Sequence, residues 1–180
     1  MKSPAPKRAY DLQLTRKANI YAKILTLHYE KERGIRLSKE EILNMLNKAL
    51  ELEHAARIQY LTHAEIVKGI NAEPIIARLK EIAEDEKKHE EMFREIIGAY
   101  LGGVPSMGMA ETHPAKTVEE ILEVNIKDEM HAVDVYKGIL EKVNMMKNEF
   151  KYEYFQIEHK LRHIIMDEQE HIAELCLLKG

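Results

Sequence analysis

The chain has 180 residues, 45% of them apolar and 32% charged, with a formal net charge of -4. That is enough chain for one domain with a core of its own, and the overall charge does not point to nucleic acid. The single cysteine, Cys176, excludes an internal disulfide, a zinc ribbon and a rubredoxin-type iron site.

Residues 1–37 read as a basic extension. The first 36 carry nine Lys/Arg against three Asp/Glu. A short helix is expected over 10–33, ending at Gly34. Its basic residues alternate with Tyr10, Leu12, Leu14, Ile20 and Tyr21, which favours a packed amphipathic helix over a DNA-binding arm. No apolar segment follows the basic start, and no apolar run reaches the roughly 18 residues of a membrane span. A cytoplasmic protein with no membrane partner is expected.

Residues 38–180 read as one helical bundle. Ser38-Lys39-Glu40-Glu41 has the form of a capping box and opens a helix over 38–69, stopped by Gly69 and Asn71. Pro74 suits the start of a second helix, over 74–101. A Gly/Pro-rich stretch from Gly102 to Pro114 follows. Thr117-Val118-Glu119-Glu120 is another capping box, opening a helix over 117–145, and a weak break at Asn148 precedes a last helix over 149–179. No segment alternates with strand period.

Stepping by four and three residues exposes a seam on each helix. The first reads Ile42, Leu46, Ala49, Glu53, Ala56, Tyr60, His63, Val67. The second reads Ile75, Leu79, Ile82, Glu86, His89, Phe93, Ile96. The third reads Leu122, Asn125, Glu129, Ala132, Tyr136, Ile139, Val143, and the fourth Ile157, Leu161, Ile164, Glu168, His171, Leu175. Each is an apolar stripe interrupted at mid-helix by Glu, or by Glu and His. The interruptions repeat. Glu53-Ala56-Tyr60 matches Glu129-Ala132-Tyr136, and Ile82-Glu86-His89 matches Ile164-Glu168-His171, at identical spacing, with Asp85 and Asp167 in corresponding places. Two related hairpins are expected.

Four carboxylates and two imidazoles would therefore meet at one level of a bundle. Burying such charges unpaired costs several kcal/mol each or more. No lysine or arginine lies on the seams to offset them, whereas two divalent cations would balance four carboxylates. Glu at i and His at i+3 share a helical face and can reach one ion. The mixed donors suit iron, manganese or zinc better than calcium, and the oxygen-rich set favours iron or manganese over structural zinc. Tyr60 and Tyr136 are placed to hydrogen-bond the carboxylates. A third Glu-x-x-His pair, Glu51 and His54, lies off the seam and is read as a solvated face. His63 is read as a core histidine, His131 as a surface residue, the methionines mostly as core, and Cys176 as a buried small apolar residue.

The segments Glu53-His-Ala-Ala-Arg-Ile-Gln-Tyr60, Asp85-Glu-Lys-Lys-His89 and Asp167-Glu-Gln-Glu-His171 resemble those of the bacterioferritin and ferritin-like di-iron proteins. The resemblance implies an all-α ferritin-like bundle with a long link between its second and third helices. It implies a ferroxidase that oxidises Fe2+ with O2 or H2O2, for iron storage, detoxification or protection from oxidative stress, in a homo-oligomer. Glu86 and Glu168 would bridge two ions, Glu53 and Glu129 would be terminal ligands, and His89 and His171 would each cap one ion. Lys87 stands where bacterioferritin carries its haem-binding methionine, so no haem is expected. Only nine residues follow His171, which leaves no room for a short fifth helix. Two other functions remain open: a rubrerythrin-like peroxidase, and a helical module that binds DNA or a partner through its basic segment.

Overall fold

The computed structural model describes residues 39–180. Residues 1–37, with the helix expected over 10–33, and the cap at Ser38 lie outside the described residues. The unit from Glu41 to Gly180 is built of four helices: α1 over 39–66, α2 over Ala72–Glu95, α3 over Val118–Met145 and α4 over Glu153–Lys179. A π-helical turn, Ile96–Tyr100, continues α2. No strand occurs among the described residues, and no helix among them is long and apolar enough to cross a membrane.

Helix ends follow local chemistry. At α3, the Thr117 side chain accepts from the Glu120 N–H at 3.1 Å, and the Glu120 carboxylate accepts from the Thr117 N–H at 3.2 Å. This is the reciprocal box expected from the sequence. Helix α1 stops at residue 66, three residues early, because the turn at Gly69 (φ 117°) needs the chain to leave the helix before it. Helix α2 begins two residues before Pro74, which then sits in the first turn, where no N–H partner is required. Helix α4 begins four residues later than residue 149. Phe150 is buried in the core and Lys151 has φ 45°, so residues 146–152 form a turn.

Glu129 to Glu168 is six residues longer than Glu53 to Glu86. Three of these lengthen α3 beyond its Glu, two lengthen the turn and one lengthens α4. The insertion therefore falls outside the matching Glu/His segments and leaves their register intact.

The seams face inward and form two apolar clusters. One gathers Leu46, Ala49, Phe93, Ile139, Val143 and Leu161. The other gathers Val67, Leu79, Ile82, Ile121, Leu122 and Leu175. On every helix the seam Glu lies between the residues that enter the first cluster and those that enter the second.

The link from α2 to α3 runs back beside α1 in the direction of α1. Asn47 donates to Val104 O (3.2 Å) and accepts from the Ser106 N–H (2.7 Å). The Ala110 N–H donates to Glu51 O at 2.9 Å, and the His113 N–H donates to the Gln59 side chain at 2.5 Å. Gly103 is packed so closely that a Cβ there would stand 2.6 Å from Leu43. The parallel run reverses the sense of the second hairpin, so α3 lies antiparallel to α1.

Three expectations are corrected. Cys176 is exposed: its neighbour Leu175 takes the seam position and points Cys176 outward. Met107, Met109, Met130, Met145 and Met166 are exposed rather than core, because they fall on the link, on turns or on outer helix faces. Glu51 and His54 are half-buried rather than fully solvated. The link covers them, with the Ser106 hydroxyl donating to Glu51 at 2.5 Å and His54 Nδ1 2.6 Å from Gly108 O.

Thr117→Ala is expected to lower unfolding free energy by about 1 kcal/mol through loss of the cap. Leu79→Ala is expected to lower it by about 2–5 kcal/mol through a core cavity. Chemical denaturation of the two variants reads both.

Candidate metal centre

Glu53, Glu86, His89, Glu129, Glu168 and His171 are all buried and converge between the two apolar clusters. His89 Nδ1 lies 3.0 Å from Glu168 Oε1, 3.4 Å from Glu86 Oε2 and 3.6 Å from Glu53 Oε2. His171 Nδ1 lies 2.9 Å from Glu168 Oε2, 3.4 Å from Glu86 Oε1 and 3.7 Å from Glu129 Oε1. These make two overlapping groups: Glu53, Glu86, His89 and Glu168, and Glu86, Glu129, Glu168 and His171. Within each, one atom per residue lies within 4.8 Å of the others. Both groups have the composition and spacing to hold an ion, and they share Glu86 and Glu168.

The hairpins lock to one another around these groups. Tyr60 on α1 donates to Glu129 on α3, and Tyr136 on α3 donates to Glu53 on α1 at 2.5 Å. His89 Nε2 donates to Asp167 of α4 at 3.2 Å, and His171 Nε2 lies 3.7 Å from Asp85 of α2. Each imidazole thus has its Nε2 toward an aspartate and its Nδ1 toward the carboxylates. The duplication of Asp85 and Asp167 was visible in the sequence. Their pairing across hairpins was not, since it depends on how α2 and α4 pack.

The buried groups shift one another's proton affinities. Burial first, then the Glu86 charge, pushes the Glu53 carboxyl up to about 8. Burial and the Glu168 and Glu86 charges push Glu129 up as well. Burial and Glu168 also raise Glu86, but hydrogen bonds from Glu53, His171 and His89 outweigh them and leave it low. Burial disfavours the cationic imidazoles. Close contact with Glu168 and Glu86 nevertheless raises His171 to about 10, and the Asp167 hydrogen bond together with the nearby Glu168, Glu53 and Glu86 carboxylates raises His89.

Even so, Glu86 Oε1, His89 Nδ1 and Glu168 Oε1 are buried without a hydrogen-bond partner. Glu90, the next residue after His89, is a useful contrast. It is buried too, yet Arg94 (2.5 Å) and Arg57 (3.4 Å) pair with it. Among the described residues, no lysine or arginine pairs with the six. A buried polar atom without a partner is costly. Inward-facing oxygen and nitrogen donors of this kind fit a pair of divalent transition-metal ions.

The ferritin family model, described as a ferritin-like domain, matches residues 43–176. The chain belongs to that family. This ferritin-like chain is 35% identical to a bacterial ferritin of Pseudomonas aeruginosa over 55% of its own length and 64% of the relative's. It is 30% identical to a bacterial ferritin of Neisseria meningitidis over 54% of its length and 63% of the relative's. The matches thus span just under two thirds of these curated relatives. Among solved structures, a ferritin-like di-iron-carboxylate protein of Bacillus anthracis superposes with TM-score 0.73 at 26% identity, over 79% of this chain and 98% of that one. The bacterioferritin of Desulfovibrio desulfuricans has the same fold, with TM-score 0.70 at 24% identity over 81% of each chain.

Other polar residues of this ferritin-like bundle lie close by. His63 is buried, 3.1 Å from the Asn125 amide, and belongs to neither four-residue group. His131 is exposed. Gln59, Asn125 and the half-buried Asp128 form a network that the sequence did not single out.

The proton affinities set a pH dependence for the metal-free protein. Glu53 binds its proton more tightly folded (about 8) than its ordinary 4.5, and His171 does so at about 10 against 6.5. Their stabilisation is complete below the lower value and lost as pH rises through the upper one. Metal-free protein should therefore lose stability steadily from about pH 5 to pH 10, and metal-loaded protein much less, because the ions replace the protons. Thermal denaturation of both forms across that range measures the difference.

Proposed function

We propose that this chain is a ferroxidase: two ferrous ions bind side by side at mid-bundle and are oxidised by O2 or H2O2. The observation that carries this reading is the set of buried atoms Glu86 Oε1, His89 Nδ1 and Glu168 Oε1 without a hydrogen-bond partner, in a site where no lysine or arginine pairs with the ligand set among the described residues. Glu86 and Glu168 belong to both groups and are assigned as bridges. Glu53 with His89 completes one position, and Glu129 with His171 completes the other. Four carboxylates against two divalent ions leave no net charge in the interior.

The surrounding residues set the geometry. Tyr60 and Tyr136 each hold one oxygen of a terminal carboxylate. Asp167 accepts from His89 Nε2, which holds the ring with Nδ1 toward the site. Asp85 stands in the corresponding place beside His171. The apolar clusters on either side hold the four helices in register.

The chemistry is an electron count. Each ferrous ion gives up one electron. O2 that takes two electrons and two protons leaves as H2O2, and H2O2 that takes the same leaves as two waters. Bound carboxylates favour the more highly charged ferric product. The donor set also suits manganese, and family membership is what favours iron here. Storage or detoxification of iron in a cytoplasmic homo-oligomer is the setting that fits this reaction. Ile58, Leu61 and Ile66 leave apolar area on the outer side of α1 for another copy to cover.

Protein stripped of metal and titrated anaerobically with Fe2+ should bind two ions per chain and oxidise both when O2 or H2O2 is admitted. Glu168→Ala should bind no more than one and lose rapid oxidation. Asp167→Ala should keep both positions with affinity weaker by about 10–100-fold. Metal analysis with stopped-flow absorbance of the ferric product reads all three. Slow ferrous oxidation beside sustained peroxide reduction with an electron donor would replace this reading by the peroxidase one.

A further inference from the structure

Away from the centre, α4 sets two imidazoles side by side on the surface. His159 and His163 are four residues apart, so they share one face of the helix. Their ring centroids stand 6.3 Å apart at an interplanar angle of 77°, and both residues are exposed. No other two of the nine histidines are three or four residues apart in the chain. The hairpin repeat does not account for the pair, because the matching positions on α2 are Ala77 and Glu81.

One of the two rings is already held as a metal ligand is held. His163 Nδ1 lies 2.9 Å from Asp167 Oδ2. An ionised carboxylate can only accept, so Nδ1 donates, and the neutral ring then carries its lone pair on Nε2. A carboxylate behind one ring nitrogen and an open lone pair on the other is the arrangement that orients ligating histidines. The basic neighbours on the helix are engaged elsewhere, Arg162 with Glu158 at 2.9 Å and Lys160 with Glu95 at 2.7 Å. Little movement is needed. Two imidazoles bound to one ion at about 2.0–2.1 Å have centroids roughly 5 Å apart, so the pair must close by about 1 Å. Small rotations of two exposed side chains supply that distance.

We propose that His159 and His163 chelate a divalent ion of the late first row, Ni2+, Cu2+ or Zn2+, at a surface site separate from the centre. Paired neutral imidazoles bind these ions more tightly than Fe2+ or Mn2+. Water completes the coordination. The Asp167 oxygen behind His163 also accepts from His89 Nε2 at 3.2 Å, so one carboxylate orients a histidine of each site. The surface site stands whether or not the centre takes two ions.

The test passes full-length protein without an affinity tag over immobilised Ni2+. An ion held by the resin reaches only the surface, since the six central residues are buried. Wild type should be retained and elute with imidazole. His159→Ala and His163→Ala should each bind the immobilised ion at least about tenfold more weakly, because a second ligand on the same face acts at high effective concentration. The double variant should be no weaker than either single one. Alanine on an exposed helix face favours the helix, so the variants keep the fold. His131→Ala, which removes a lone exposed imidazole, should elute with wild type. Equilibrium dialysis against free Ni2+ should give wild type one more ion per chain than either α4 variant, whatever number the centre takes. No retention of wild type, equal retention of all variants, or losses that add in the double variant would overturn the proposal. Equal ion counts in wild type and the α4 variants would do the same.

Discussion

Four carboxylates buried at one level of a four-helix bundle are the constraint on which the rest of the molecule depends. In a low-dielectric interior they repel one another and lack the solvation they would have in water. Burial and neighbouring charge push Glu53 and Glu129 up, and the carboxylates around them raise both imidazoles. Protons leave Glu86, His89 and Glu168 with atoms still unpartnered. A pair of divalent ions would satisfy the same groups together.

The fold supports this layer by duplication. Each hairpin contributes a Glu, a Tyr and a Glu-x-x-His pair, and the bonds that orient them cross from one hairpin to the other. Tyr60 serves Glu129, Tyr136 serves Glu53, and Asp167 serves His89. Neither hairpin alone completes a position. The two apolar clusters, one on each side of the layer, fix the helix register that these bonds require. The link between hairpins lies along α1 and closes the molecule over the polar network at Gln59.

Periodicity made much of this legible. Heptad stepping put the seam residues inward and brought all six acidic and imidazole groups to one level, because a helix converts spacing into direction with little ambiguity. The capping box at Thr117 was readable because its geometry is local. What was missed depends on tertiary contact. Glu51 and His54 looked solvated because nothing in a helical wheel shows that a link from elsewhere will cover them. Cys176 looked like core because it is one residue from the seam, and one residue on a helix is a rotation of about 100°. The start of α4 was misplaced because Phe150 is buried from within a turn. Gln59, Asn125 and Asp128 carry no sequence signature, since only packing makes them partners. A comparison of the two hairpins, position by position, would have flagged them as polar residues opposite Val135, Ala49 and Leu52.

The central claim is that two ions occupy the layer between the apolar clusters. Anomalous diffraction at the iron absorption edge, from crystals of the full chain grown or soaked anaerobically with Fe2+, tests it most directly. The account predicts two peaks per chain, about 3.5–4 Å apart as in other two-metal sites, between Glu53 and His89 on one side and Glu129 and His171 on the other. An empty layer in iron-saturated crystals, or peaks confined to the outer surface, would contradict it.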